Sequence, residues 1–294
     1  MSRLVVSEEL LQQIESLQML IRHNVAGMFG GTHQSKSFGS SCEFADYRDY
    51  MPGDDISKID WNAFARFDKL YQKLYLDERQ MHTRIYIDAS RSMQYGSATK
   101  AEQAIKLAAM IAYLSICGLD KVSIYVIREK SVECIIQNMV GKDAYLNNIG
   151  ALNEITFDGD SYISEALLTH NVGMGDGMSV IISDFLTEND FDAAINLLAD
   201  KRRDILCVQV LSREEINPQL RGKVHLYDAE SQNRYYRKNI DKDIANAYKA
   251  ALKYSMDRIK DRCLSMGGNY MLVEAEDSLG KVFCEKLVDM EVLK

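Results

Sequence analysis

The chain has 294 residues, of which 47% are hydrophobic and only two are prolines, so it is long enough for one large or two small folded domains. Its formal net charge of −8 disfavours nucleic acid or an anionic membrane as the main partner. The six cysteines form no Cys-x-x-Cys pair, and with no secretory signal pattern or membrane-spanning apolar run they indicate a cytoplasmic protein without a transmembrane segment.

Residues 1–80 are predicted to form an N-terminal helix and an arm. Apolar residues recur at helical spacing from about Ser7 onward, and they are Leu10, Ile14, Leu17 and Ile21. The segment 27–41 is rich in Gly and Ser. It lacks the Lys-Ser/Thr ending of a phosphate-binding loop, so a flexible connection is the favoured interpretation.

Residues 43–66 combine dense opposite charges with aromatic rings. The side chains of interest are Glu43, Arg48, Tyr50, Asp54, Asp60, Trp61 and Arg66. One interpretation is an arm packed on the core, in which the aromatic rings are buried, Trp61 is an anchor and the arginines pair with carboxylates. The other interpretation is a docking surface or a second polar site.

Residues 81–294 are predicted to form an α/β domain with a C-terminal extension. Strand and helix patterns alternate, which indicates a mostly parallel sheet with helices on both faces. The expected strands are 84–88, 122–128, 132–137, 180–184 and 205–211, and the expected helices are 100–117, 144–152, 163–169 and 191–200. A charged turn separates the second and third strands, so we expect them to form an antiparallel hairpin at the edge of the sheet.

The last part of the chain begins near Ser212. A small hairpin is expected at 224–228 and 234–237, followed by a long helix at 241–265, a strand at 269–274 and a helix through Leu287. Gly267 and Gly268 would end the long helix. We expect these elements to extend the same sheet.

Polar oxygen ligands follow three of these elements. Asp88, Ser90 and Ser92 form an Asp-x-Ser-x-Ser turn after a strand, Ser161 precedes a helix, and Asp184 ends another strand. The carboxyl ends of parallel strands meet at a topological switch point, so these loops can converge. Hydroxyl and carboxylate oxygens suit Mg²⁺ or Mn²⁺ better than Zn²⁺. Each residue also has an ordinary interpretation as a turn or cap residue.

Together these five residues resemble the metal-ion-dependent adhesion site (MIDAS) of von Willebrand factor A domains. The resemblance implies a Rossmann-like α/β domain in which Ser90, Ser92 and Ser161 bind the cation directly and Asp88 and Asp184 often act through water. One coordination position would stay open for a partner's Glu or Asp. The family has Thr where this chain has Ser161, which implies a weakly bound cation that can be absent from a preparation.

A second resemblance lies upstream. The pattern E-F-x-x-x-R-x-Y-x-x-G-D-D, then I-D-W and A-R, is present between Glu43 and Arg66. It resembles the hallmark of the bacterial domain of unknown function 58 family, and with weaker C-terminal matches the resemblance covers roughly residues 30–285. Ser57-Lys58 departs from the family, which usually has Arg near that point. The resemblance implies association with a MoxR-type AAA+ ATPase in assembly, maturation or stress response.

The sequence therefore predicts a metal-dependent protein-protein interaction module, an adaptor or scaffold, rather than an enzyme. The five histidines show no spacing typical of a catalytic triad or a metal-His site. The alternative function is a hydrolase that uses the same divalent cation. A third possibility is a structural scaffold whose site is never loaded.

Overall fold

The computed structural model describes residues 5–24, 35–38, 44–77, 80–96, 99–175, 177–186, 191–218, 222–227 and 235–282. Several expectations lie outside these residues: Glu43, most of the segment 27–41, the turn of the C-terminal hairpin and the helix beyond residue 282. The chain divides into two compact units. One comprises Met1–Asn24 with Met81–Leu293, and the other comprises Val25–Gln80.

The first helix, α1 (Glu8–Asn24), belongs to the larger unit. Its residues Leu10 and Ile14 are 5% and 1% exposed and lie in the same apolar cluster as the sheet. Just before the helix, Val6 exchanges two hydrogen bonds with the Asn153 side chain, at 2.8 and 3.1 Å. Helix α1 thus packs with the larger unit, and its apolar stripe is buried against the α/β core.

The smaller unit holds a three-stranded antiparallel sheet that the sequence analysis did not predict. Its elements are β1 (Ser35–Phe38), β2 (Phe44–Asp49), the short helix α2 (Trp61–Phe67) and β3 (Tyr71–Asp77). The spatial order of the strands is β1-β3-β2. Asp60 caps α2, since its side chain accepts hydrogen bonds from the backbone N–H groups of Asn62 and Ala63.

The larger unit is built on a six-stranded sheet. The described strands of this unit, of which six form the sheet, are β4 (His82–Asp88), β5 (Lys121–Arg128), β6 (Ser131–Met139), β7 (Met178–Ser183), β8 (Asp204–Leu211), β9 (Gly222–Tyr227), β10 (Tyr235–Ile240) and β11 (Asn269–Glu274). Six of them pair in the order β11-β8-β7-β4-β5-β6. All these pairs are parallel except β5 with β6, which form the predicted antiparallel hairpin and carry two shifts of register.

Helices cover both faces of this sheet. They are α3 (Lys100–Cys117), α4 (Lys142–Asn148), α5 (Ile163–Thr169), α6 (Asp192–Asp200), α7 (Arg213–Ile216), α8 (Lys242–Ser265) and α9 (Leu279–Lys281). One apolar cluster joins α1, α3 and one face of the strands, including Ile85 and Ile87. The other joins α5, α6 and α8 to the opposite face, including Tyr86 and Ile181. Alternate residues of β4 thus enter opposite layers.

The predicted fold class is confirmed: a Rossmann-like, mostly parallel α/β sheet with helices on both faces. One detail of the C-terminal part is corrected. β11 extends the central sheet as expected, but β9 and β10 pair only with each other and form a separate two-stranded sheet among the described strands.

The place of α1 in the core can be tested by truncating one side chain. We expect Ile14→Ala to lower the free energy of unfolding by about 2–4 kcal/mol, because the buried side chain would leave a cavity. The control is Ile244→Ala on α8, where the side chain is 42% exposed and the change should stay within about 0.5 kcal/mol. Urea denaturation of both variants measures the difference, and equal stabilities would contradict the packing of α1.

Candidate functional site

The site lies beside β4, where the strand order changes: the strands that follow β4 in the chain are first added on one side of it and later on the other. β4 is flanked by β5 on one side and by β7 on the other, so the carboxyl ends of β4 and β7 border a crevice at the topological switch point. Asp88 is the last residue of β4, and Asp184 directly follows β7. Both are almost fully buried, at 3% and 2% exposure. Because β4 and β7 are neighbours in the sheet, two carboxyl groups lie at adjacent strand ends.

Asp88 fixes the Asp-x-Ser-x-Ser turn and joins it to the neighbouring strand. Its Oδ1 accepts a hydrogen bond of 2.9 Å from the Ser90 backbone N–H, and its Oδ2 accepts one of 2.6 Å from the Ser183 hydroxyl. The Ser90 and Ser92 hydroxyl oxygens lie 3.0 Å apart. The turn therefore places two hydroxyl groups next to each other just beyond the strand end.

The loop that carries Ser161 is pinned to this turn by backbone hydrogen bonds. Arg91 N–H donates to the Gly159 carbonyl, and Asp158 N–H donates to the Ala89 carbonyl, both at 2.9 Å. Ser161 is only 4% exposed, and its hydroxyl oxygen has no hydrogen-bond partner among the described residues. An unsatisfied buried hydroxyl costs about 1–3 kcal/mol, so the Ser161 hydroxyl is an unfavourable group for the folded domain on its own.

Asp184 is held from three directions. Its Oδ2 accepts a bond of 2.7 Å from the Lys100 ammonium, its Oδ1 accepts one of 3.0 Å from Leu186 N–H, and its carbonyl accepts one of 2.6 Å from the Gln209 amide. Lys100 Nζ also donates to Glu215 Oε1 at 2.6 Å. Lys100 and Glu215 belong to none of the sequence motifs described above. The signal that could have found Lys100 is a lysine that opens an apolar helix.

Burial and charge shape the protonation of this cluster. Burial raises the pKa of Asp88, and the negative charge of Asp184 raises it further, against the hydrogen bonds from Ser183 and Ser90. Burial lowers the pKa of Lys100, but the attraction of Asp184 and Glu215 outweighs it and leaves that pKa raised. The lysine is therefore held as an ammonium, while Asp88 is a carboxyl group whose ionisation the site resists.

The hallmark residues lie in the smaller unit and form local networks. Arg48 pairs with Asp54 at 2.7 Å, while Asp60 Oδ2 accepts from the Tyr47 hydroxyl at 2.8 Å and pairs with Lys73 at 3.3 Å. The hydrogen bond from Tyr47 is the main reason that the pKa of Asp60 falls to about 2.

An open pocket of about 500 Å³ lies beside these networks. It is lined by Tyr47, Asp60, Asn62, Ala63, Arg66, Phe67 and Tyr71.

Two aromatic rings of this unit are not covered by the unit's own residues. Trp61 is 58% exposed and Phe67 is 66% exposed, and Tyr50 is half-buried. Trp61 contacts Phe64 edge to face along α2, with ring centroids 6.2 Å apart. The physical reason is the size of the unit: a seven-residue helix beside a three-stranded sheet cannot cover its own rings.

The family is decided by comparison with known proteins. Residues 46–258 match the model of the family described as "Protein of unknown function DUF58". The chain belongs to this family. Relatives of this DUF58 chain include uncharacterized proteins of Mycobacterium tuberculosis and Mycobacterium bovis, each 25% identical over 229 residues, which is 76% of this chain and 72% of the relative.

Solved structures give weaker likenesses to this DUF58 chain. An aerotolerance-related membrane protein from Bacteroides fragilis has a TM-score of 0.40 at 14% identity, covering 72% of this chain and 98% of that one. The VWA domain of SpRpn10 has a TM-score of 0.38 at 10% identity, covering 69% and 92%. Within the described part of the chain, no helix is both long and apolar enough to cross a bilayer.

Because the pKa of Asp88 is raised in the folded protein, replacing this carboxyl group with a neutral side chain should stabilise the folded state at neutral pH. Below its unfolded pKa the carboxyl is protonated in both states. As pH rises, the unfolded chain releases this proton more easily than the folded protein, in which the carboxyl group is buried. The free energy of unfolding therefore falls toward neutral pH. Asp88→Asn should therefore raise the melting temperature at pH 7 in EDTA, and the gain should shrink toward pH 4.

The control for this measurement is Asp158→Asn. Asp158 is exposed, and its hydrogen bond from Arg91 lowers its pKa, so its loss should not raise the melting temperature at pH 7. An Asp88→Asn gain of equal size at both pH values would contradict the assigned cause.

Trp61 reports on the smaller unit, because it is the only tryptophan. At 58% exposure, its native fluorescence maximum should lie close to that of free tryptophan and shift only slightly on unfolding in urea. Strongly blue-shifted native emission would show that the ring is buried and would support the packing interpretation.

Proposed function

We propose that the α/β domain is a protein-protein interaction module whose binding depends on a divalent cation, Mg²⁺ or Mn²⁺. Ser90, Ser92 and Ser161 would hold the cation directly, with Asp88 and Asp184 as the acidic members of the site. When bound, the cation supplies a positive centre that can accept a carboxylate from a partner protein.

The buried Ser161 hydroxyl carries this proposal. It lies on a loop bonded to the Asp88–Ser92 turn, is 4% exposed, and lacks a hydrogen-bond partner among the described residues. Buried hydroxyl groups are normally satisfied. A buried hydroxyl without a partner, on a loop whose backbone is bonded to the turn that carries Ser90 and Ser92, supports a site for a cation that binds oxygen ligands. The donor set contains only oxygen atoms, which favours Mg²⁺ or Mn²⁺.

The charges of the buried cluster support the same assignment. Asp88, Asp184 and Glu215 are three carboxyl groups, and the Lys100 ammonium is bonded to two of them, Asp184 and Glu215. Fully ionised, the group would retain two negative charges away from water, which is unfavourable. One divalent cation supplies the balancing charge and would also relieve the resistance of Asp88 to ionisation.

The partner follows from the family resemblance and from the exposed hallmark. We infer that a MoxR-type AAA+ ATPase works with this protein in assembly, maturation or stress response, and that a client offers the acidic residue to the cation. The exposed rings of Trp61 and Phe67 favour the docking interpretation of residues 43–66, since exposed apolar clusters often mark interaction sites.

Loss of the Ser161 hydroxyl should weaken cation binding. We expect Ser161→Ala to raise the dissociation constant for Mn²⁺ at least about tenfold, equivalent to about 1.4 kcal/mol, with an unchanged fold. Isothermal titration calorimetry measures the constant, and far-UV circular dichroism checks the fold. Ser265→Ala, at an exposed serine, is the control and should bind like the unchanged protein.

The wild-type protein and the Ser161→Ala variant also test the proposed ATPase partner. A MoxR-type ATPase from the same organism should be retained by the unchanged protein with Mg²⁺ and lost with EDTA or with Ser161→Ala. Equal retention in all three cases would contradict metal-dependent binding. Hydrolysis of a substrate that requires the same serines would instead favour the hydrolase alternative.

A further inference from the structure

A buried ion network extends the crevice toward α7. The Lys100 side chain is 1% exposed and its Nζ lies 2.7 Å from Asp184 Oδ2 and 2.6 Å from Glu215 Oε1. Glu215 uses its other oxygen to cap α7, accepting a hydrogen bond of 2.8 Å from Ser212 N–H. Lys100 therefore joins the loop after β7 to the segment after β8.

Helix stability does not explain this lysine. It is the first residue of α3, where the helix dipole disfavours a positive charge. Burial of an ammonium is also unfavourable, and an apolar residue of similar volume often serves a protein interior as well or better. Two carboxylates hold the group in place, and one of them, Asp184, borders the proposed cation site. The cost of burial thus produces a fixed positive charge beside that site.

We propose that Lys100 and Glu215 set the affinity of the site for divalent cations, with Lys100 lowering it and Glu215 raising it. This inference rests on the proposed function. When all four are ionised, the group formed by Asp88, Asp184, Glu215 and Lys100 carries two negative charges. Without Lys100 it carries three, and without the Glu215 charge it carries one. Because attraction to a divalent ion scales with this charge in a poorly solvated site, each step should change the affinity by about tenfold or more.

A charge series separates this role from a structural one. Mn²⁺ alone is titrated by calorimetry into the full chain and into Lys100→Met, Glu215→Gln, the double variant and Lys100→Arg. Lys100→Met should bind Mn²⁺ at least about tenfold more tightly than the unchanged protein, and Glu215→Gln about tenfold more weakly. The double variant and Lys100→Arg, which keep the net charge, should stay close to the unchanged protein.

Melting temperatures with and without Mn²⁺ give a second readout. In EDTA, Lys100→Met should have a lower melting temperature than the wild-type protein, because Asp184 and Glu215 lose their ammonium partner. Addition of Mn²⁺ should raise its melting temperature by more than that of the wild type. If Lys100→Met does not fold, Glu215→Gln and Lys100→Arg decide the matter, since one should bind more weakly and the other should not.

Two failures are distinguishable. If the unchanged protein binds Mn²⁺ and all variants bind with the same affinity, Lys100 and Glu215 are structural and only this inference is overturned. If neither the unchanged protein nor any variant binds Mn²⁺ at millimolar concentration, the proposed cation site is overturned with it.

Discussion

The burial of two carboxyl groups at the ends of neighbouring strands governs this molecule. Asp88 and Asp184 lie where β4 and β7 end, and each is almost completely removed from water. Carboxylates in such a place need donors, and the fold supplies them: Ser183 and Ser90 for Asp88, and Lys100 for Asp184. These donors come from the end of β7, the turn after β4 and the start of α3. The hydrogen bonds to the two carboxyl groups therefore hold three segments of the chain together.

The same constraint shows what sequence patterns can and cannot predict. Apolar runs identified the strands and helices of the larger unit, and the bounds of α3, α5 and β11 agree with the patterns. Asp88, Ser90, Ser92 and Asp184 could be singled out as candidates because their positions after strands can be read from the local sequence. Lys100 and Glu215 could not, because their pairing joins residues 115 positions apart and no local pattern carries it.

The smaller unit was harder to predict for a different reason. Its strands are short, and they pair within a segment that the charge pattern presents as an irregular arm. Aromatic rings usually indicate burial, but the smaller unit does not bury Trp61 and Phe67 within itself. Composition indicates that a ring favours contact with apolar surface, but it does not tell whether that surface belongs to the same chain.

The hairpin of β5 and β6 has a consequence for self-association. β6 is the last strand on its side of the central sheet and has exposed residues along much of its length. Its pairing with β5 shifts register twice, and such bulges twist an edge out of line with a second strand. This edge of the sheet is therefore a poor template for pairing with a strand of another copy of the chain.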